Sequence, residues 1–249
     1  MYKNSYERMF KSVQSVGFAL LLLFSMPVSA ALTPINSPNG ADPNLVQNSS
    51  QTSIMNHLYG SGNYTRVDDS LDQVWTANNG TTQVVARFAG NNETLGYFVG
   101  NSGATGAGNF QTLYNVNGSG YGVTGGSTIN QNSLRWGLKT SGQQGDQYFS
   151  SLASNNTLDV SASRDHMVTF KITGTSGGFN DNVLGNYVIA FEDLIDNTAQ
   201  GRSSDRDFND AVFEVGQQVK VPEPATYALL GSSLLMAFAV RRKAQKATA

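Results

Sequence analysis

Between residues 63 and 215 the apolar residues come in runs of only six to eight, separated by clusters of Gly, Asn and Ser. Runs that short, bounded by turn-forming residues, build strands more readily than helices. The pattern predicts strands at 83–89, 94–99, 110–116, 134–139, 147–152, 166–172, 187–192 and 208–215. In the clearest of them Val168, Phe170 and Ile172 alternate with Met167, Thr169 and Lys171. A period of two predicts a half-buried antiparallel strand. A sheet with one apolar face must cover that face. The expected fold is therefore all-β, a single antiparallel β-sandwich or jelly-roll domain spanning 63–220. A span of about 150 residues is enough to bury one such core.

The flanks read differently. Residues 1–30 have the form of a secretory signal peptide, with Lys3, Arg8 and Lys11 ahead of an apolar run at 16–24. The small residues before Ala30 place its cleavage after that residue. Residues 31–62 are rich in Pro, Asn and Ser, and the expectation there is a loosely ordered leading segment. Within it Leu45, Val46, Ile54, Met55 and Leu58 suit a short helix or first strand. At the far end, residues 221–249 hold Pro222, Glu223 and Pro224, an apolar stretch at about 225–240, and a basic stop of Arg241, Arg242 and Lys243. That order predicts a transmembrane helix with its C-terminus on the cytoplasmic side and the β-domain across the membrane.

Composition narrows the function classes. The chain has no cysteine, which excludes disulfides, thiolate zinc sites and a cysteine nucleophile. Residues 31–221 carry 16 acidic and 9 basic side chains, a net −7 that suits nucleic acid poorly, so no such partner is expected. The imidazoles are His57 and His166, and neither a Ser/His/Asp order nor a G-x-S-x-G elbow appears. The glycine-rich stretch 100–126 lacks the strand-then-helix setting of a nucleotide loop. No catalytic residue is assigned, and the chain is expected not to be an enzyme. Two rival readings stand beside this one. A carbohydrate-binding module would expose Tyr97, Tyr114, Tyr121 and Trp136 in a row. A glycan-active hydrolase would use paired carboxylates such as Glu192 with Asp207.

The densest chemistry is acidic. Glu192 and Asp193 close one apolar run, and Asp205, Asp207, Asn209 and Asp210 open the next. Carboxylate and amide oxygens are the ligands that hard cations take, so these six residues form a candidate calcium site. If 205–209 is extended, Asp205, Asp207 and Asn209 share one face while Phe208 and Asp210 share the other. The spacing also starts like an EF-hand loop, but Asp210 stands where that loop needs glycine and Gly216 where it needs a bidentate Glu. The same residues fit an acidic corner that caps turns and pairs with Arg202 and Arg206. Both readings remain open on the residues alone.

The tail from Pro222 to Lys243 resembles the PEP-CTERM sorting signal of exopolysaccharide-producing bacteria. That resemblance implies recognition and cleavage at or near Pro222, Glu223 and Pro224 by an exosortase, a membrane-embedded cysteine protease. Phe191, Glu192 and Asp193, with the run from Asp205 to Asp210, resemble the DUF4114 domain of secreted bacterial β-proteins over roughly 170–215. Together they imply an exported protein, tethered transiently in the inner membrane and then passed to the cell surface or matrix. The expected role is structural or adhesive, in association with exopolysaccharide and stabilised by calcium.

Overall fold

The computed structural model describes residues 32–36, 42–46, 53–116, 118–122, 125–142, 145–160, 164–175, 178, 182–201, 203–216 and 219–220. All fall in one compact unit, Leu32–Ala249. The expected signal peptide with its Ala30 site, Arg202, and the sorting tail from Pro222 to Lys243 lie outside the described residues.

Among the described residues one short α-helix, α1 (Ile54–Tyr59), precedes eleven strands. They are β1 (Tyr64–Arg66), β2 (Trp75–Arg87), β3 (Asn92–Val99), β4 (Phe110–Val116), β5 (Gly120–Tyr121), β6 (Gly126–Gly142), β7 (Gly145–Ser150), β8 (Met167–Ile172), β9 (Tyr187–Phe191), β10 (Ala211–Val215) and β11 (Val219–Lys220). All pair antiparallel in a single sheet ordered β1-β8-β9-β10-β2-β6-β3-β4, with β5 and β11 added to β2 and β7 to β6. The all-β, antiparallel expectation is met. β2 and β6 run well beyond the predicted 83–89 and 134–139, because polar and Gly-containing stretches at their outer ends pair as well.

The sheet is not flat. Tyr114 on β4 meets Phe213 on β10 with ring centroids 6.4 Å apart, although four ladder steps separate those strands. At about 4.8 Å per step a flat sheet would hold them roughly 19 Å apart. Curling occurs along β2 and β6, whose pairing shifts register twice, near Asn79 with its left-handed φ of 52°. Curling gathers Trp75, Leu95, Trp136, Ile189, Phe191 and Phe213 into one core. Trp75 sits edge-on to both Trp136 and Tyr187, at 6.3 and 5.3 Å.

The opposite face of β8, β9 and β10 carries a second core. Met167 belongs to the first core and Val168, Phe170 and Ile172 to the second, so the period of two holds but the strand is buried on both sides. That corrects the half-buried expectation, and the covering element explains it. The leading segment, expected to be loosely ordered, contributes Leu45, Ile54, Met55, Leu58 and Tyr59, all fully buried, to this second core. Ser53 caps α1 by accepting from Asn56 N at 3.1 Å, and Gly60 ends the helix at φ 80°.

A test follows from that cover. Leu58→Ala removes a fully buried side chain, which costs about 2–5 kcal/mol when the site cannot collapse. The midpoint of thermal unfolding should fall by roughly 5–15 °C; a change under about 1 °C would mean the leading segment is not part of the folded core.

Candidate metal site

Phe191 at the end of β9 stands opposite Ala211 at the start of β10. Residues leaving the one strand and entering the other must therefore lie side by side. These are Glu192 and Asp193, and Asn209 and Asp210. The ladder continues one step past β9, with Glu192 N donating to His166 O at 3.0 Å. Asp193 N donates to Asp210 Oδ2 at 2.8 Å. His166 is fully buried and both ring nitrogens are engaged, Nδ1 with Glu192 O and Nε2 with Asp159 Oδ2, each at 3.0 Å. Its ring stacks on Phe149 at 4.1 Å. This histidine holds the backbone under the site.

Segment 203–210 supplies the facing wall. It is not the extended run the sequence suggested, and the strand begins only at Ala211. Arg206 and Phe208 take left-handed φ values of 56° and 55°. Between them Asp207 closes an Asx turn, Oδ1 accepting from Asn209 N at 3.2 Å and Oδ2 from Asn209 Nδ2 at 2.8 Å. Such turns are what short acidic side chains offer the backbone. Phe208, fully buried, pins the segment into the second core. The leading segment straps it from outside: Asn36 N donates to Arg206 O at 2.9 Å, Asn36 Nδ2 to Asp205 O at 2.7 Å, and Asn209 Nδ2 to Pro43 O at 3.2 Å.

The kinked path brings the expected residues together. Ligand oxygens of Glu192, Asp205 and Asp207 lie within 4.8 Å of one another, and so do those of Glu192, Asp193 and Asp210. Oxygens on one calcium ion sit roughly 2.3–2.6 Å from it, so pairs up to about 5 Å apart can share the ion. An acidic cleft of about 320 Å³ opens above, lined by Asp42, Asn91, Asp193, Asp205, Asp207 and Asp210 among others. Glu192, next to the lining Asp193, is 0% exposed, and neither of its oxygens makes a hydrogen bond of normal geometry. A buried carboxylate left unpartnered is costly, and a hard cation is one of the few groups that satisfies it. Asn209 spends its amide nitrogen on Asp207 and Pro43, so Oδ1 is the atom it can offer a cation.

The electrostatics agree with the geometry. Burial, followed by the charge of Asp205, pushes Glu192 above the usual carboxylate range, with the nearby Ser204 hydroxyl, though outside normal hydrogen-bond geometry, pulling it back and Asp207 and Asp193 pushing it further up. Burial raises Asp207 to about 6, offset by Asn209 N and reinforced by Asp205, Asp42 and Asp193. Asp210 and Asp193 are also raised, burial again first. Arg206, one of the two cations expected to neutralise the cluster, lies over the Phe208 ring at 5.4 Å and donates to Asp165 O at 3.2 Å. The guanidinium nearest Asp193 is instead Arg87, held to Glu93 at 2.7 Å.

Sequence reasoning missed Glu93, Asn91 and Asp42. Glu93 is 2% exposed and pushed up to about 9 by burial and by Asp193, against the pull of Arg87. Asn91 Nδ2 donates to Asp193 Oδ2 at 2.9 Å. The signal was present for Glu93 alone: it shares the inward parity of Leu95 on β3. Asp42 carries no local signal, since only the tertiary fold brings it to the cleft.

The rivals fare differently. Trp136 is fully buried, Tyr97 and Tyr114 pack against the first core and Tyr121 against the second, so the four make no exposed row. Glu192 and Asp207, the pair a hydrolase would use, bring ligand oxygens within 4.8 Å of one another.

Comparison with known proteins gives the class first. Residues 108–218, from just before β4 through β10, match the model of a domain of unknown function, DUF4114. That match reaches well upstream of the 170–215 carrying the sequence resemblance. Residues 220–243 match the PEP-CTERM protein-sorting motif. The region similar to DUF4114 is followed directly by the match to the sorting motif, and that motif implies export and exosortase processing at a membrane. No curated protein and no solved structure matches it. Among the described residues no helix is long and apolar enough to cross a membrane.

A pH dependence follows from the raised carboxylates. A group whose folded pKa exceeds its unfolded value binds more protons when folded, so stability falls as pH rises through that interval. Asp207 and Asp165, each near 6, and Glu93 near 9 all act in this direction. In chelator the melting temperature should decline between about pH 4 and pH 9, followed by circular dichroism. A flat or rising profile would show that these carboxylates are already neutralised by other means.

Proposed function

We propose that this chain is a structural or adhesive protein of the cell surface or extracellular matrix, whose β-domain is ordered by calcium bound at the corner above Glu192. The domain is best understood as a sandwich-like fold, the curled sheet covering one core and the leading segment the other. The observation that carries the calcium reading is the Glu192 carboxylate, fully buried with neither oxygen partnered. The ligands are drawn from Glu192, Asp193, Asp205, Asp207, Asp210 and Asn209. Bound there, calcium ties 203–210 to the end of β9 and, through Asn209 and Pro43, to the leading segment. A matrix protein gains from this, because the ion is abundant outside cells and scarce inside. Exopolysaccharide is the polymer it is proposed to accompany, and the role is non-catalytic. Support for the location is the PEP-CTERM match immediately after the domain, the apolar stretch at about 225–240 acting as a sorting helix.

Calcium at a hundredfold excess over Kd stabilises a native state that alone binds it by about 2.7 kcal/mol. For a domain of this size that raises the melting temperature by roughly 5–11 °C. The full chain in mild detergent should show this rise with calcium against chelator, and Glu192→Gln should abolish it. Identical melting in wild type with and without calcium would sink the calcium reading.

The sorting reading has a separate test. In a bacterium encoding an exosortase, Glu223→Ala should leave most of the chain membrane-bound and uncleaved while wild type leaves the membrane fraction. Equal release of both forms, by fractionation and immunoblot, would count against processing at this motif.

A further inference from the structure

The acidic corner contains two sets of ligands rather than one. Glu192, Asp205 and Asp207 form the first and Glu192, Asp193 and Asp210 the second, each with its oxygens within 4.8 Å. The five oxygens do not collapse into a single set at that spacing. Each set is thus spaced to suit an ion of its own, whereas a single ion shared by all five carboxylates would need ligand pairs wider than 4.8 Å. The backbone that holds them is tied down on both sides, by the β9–β10 ladder and by the Asx turn at Asp207.

Glu192 is the shared member. Both its oxygens are buried and neither has a hydrogen-bond partner. A carboxylate that served one ion through one oxygen would leave the second buried, with only the neighbouring Ser204 hydroxyl at hand to lessen the cost. Charge points the same way. Fully ionised, the five carboxylates of the two sets carry −5; one divalent cation leaves −3 in a largely buried corner, and two leave −1. Carboxylates packed this closely repel unless neutralised.

We infer that the corner binds two calcium ions bridged by the Glu192 carboxylate, one ion facing Asp205 and Asp207 and the other facing Asp193 and Asp210. This rests on the calcium reading above and adds the number of ions and the role of each carboxylate. The first ion lies on the side of the leading segment, and Asp42 stands on the cleft wall as a further oxygen source there. The second lies on the side of Asn91 and Glu93, where Asn91 orients Asp193. Arg87, paired with Glu93, keeps that flank from carrying a further unbalanced charge.

Equilibrium dialysis of the full chain in detergent against buffered calcium, with bound metal measured per chain, tests the inference. Wild type should bind two equivalents. Asp205→Ala, an exposed substitution that removes the ligand oxygens and leaves the folded core untouched, should bind one. Glu192→Gln, which removes the bridge, should weaken binding of both by at least tenfold, with circular dichroism confirming the fold. One equivalent in wild type would overturn the two-ion inference and leave the calcium reading standing. None would overturn both. Two equivalents retained by Asp205→Ala would place an ion elsewhere and overturn the inference.

Discussion

The carboxylate of Glu192 is buried because β9 is buried, and most of the site's architecture derives from that. Every residue of β9 is covered, with Tyr187, Ile189 and Phe191 feeding one core and Val188 and Ala190 the other. Alternation carried one step further puts Glu192 on the parity of Val188 and Ala190, toward the core that Phe208 and the leading segment close. Asp193 takes the opposite parity, toward β3, where Asn91 and Glu93 meet it. Two consecutive acidic residues are thus sent to opposite sides of one strand end. That is why the cluster divides into two sets around a common member.

An acidic corner built this way conflicts with the rest of the fold unless something neutralises it. Burial raises the carboxylates because the ionised form has lost its water. Protonation offers relief at low pH and a cation offers it at neutral pH. The backbone around the corner is already constrained: two non-glycine residues hold left-handed φ, and strain of that kind persists only where surrounding structure over-determines it. Here the surrounding structure is Phe208 in the second core and the straps from Asn36 and Asn209. The cation proposed for this corner would add to these restraints by linking strand end, loop and strap through their charges.

Strand positions were readable because alternation and turn residues are local properties. β4 was placed to the residue, and β3 and β8 to within two. Burial on both faces of β8 was not readable, since Thr169 looks like a solvent-facing residue, as Lys171 is, until the fold buries that side of the strand. The same limit hid the leading segment's role. Its Pro, Asn and Ser content signals irregular backbone, yet irregular backbone can still deliver Leu45 and Leu58 to a core. At the site, the acidic residues near β9 and β10 were readable as a cluster, while Asp42 and Glu93 come from elsewhere in the chain. Their arrival depends on the fold and leaves no spacing in the sequence.

The position of the sorting motif gives the fold its last constraint. β11 pairs Val219 with Ala77 and Lys220 with Thr76, so the sheet is still being hydrogen-bonded at the residue where the motif match begins. Pro222, Glu223 and Pro224 follow directly, and proline cannot donate to a ladder. Cleavage at or after those residues leaves all eleven strands and both sets of carboxylates on the same side of the cut. Among the described residues, neither of the two cores nor the Glu192 corner draws a member from beyond that cut.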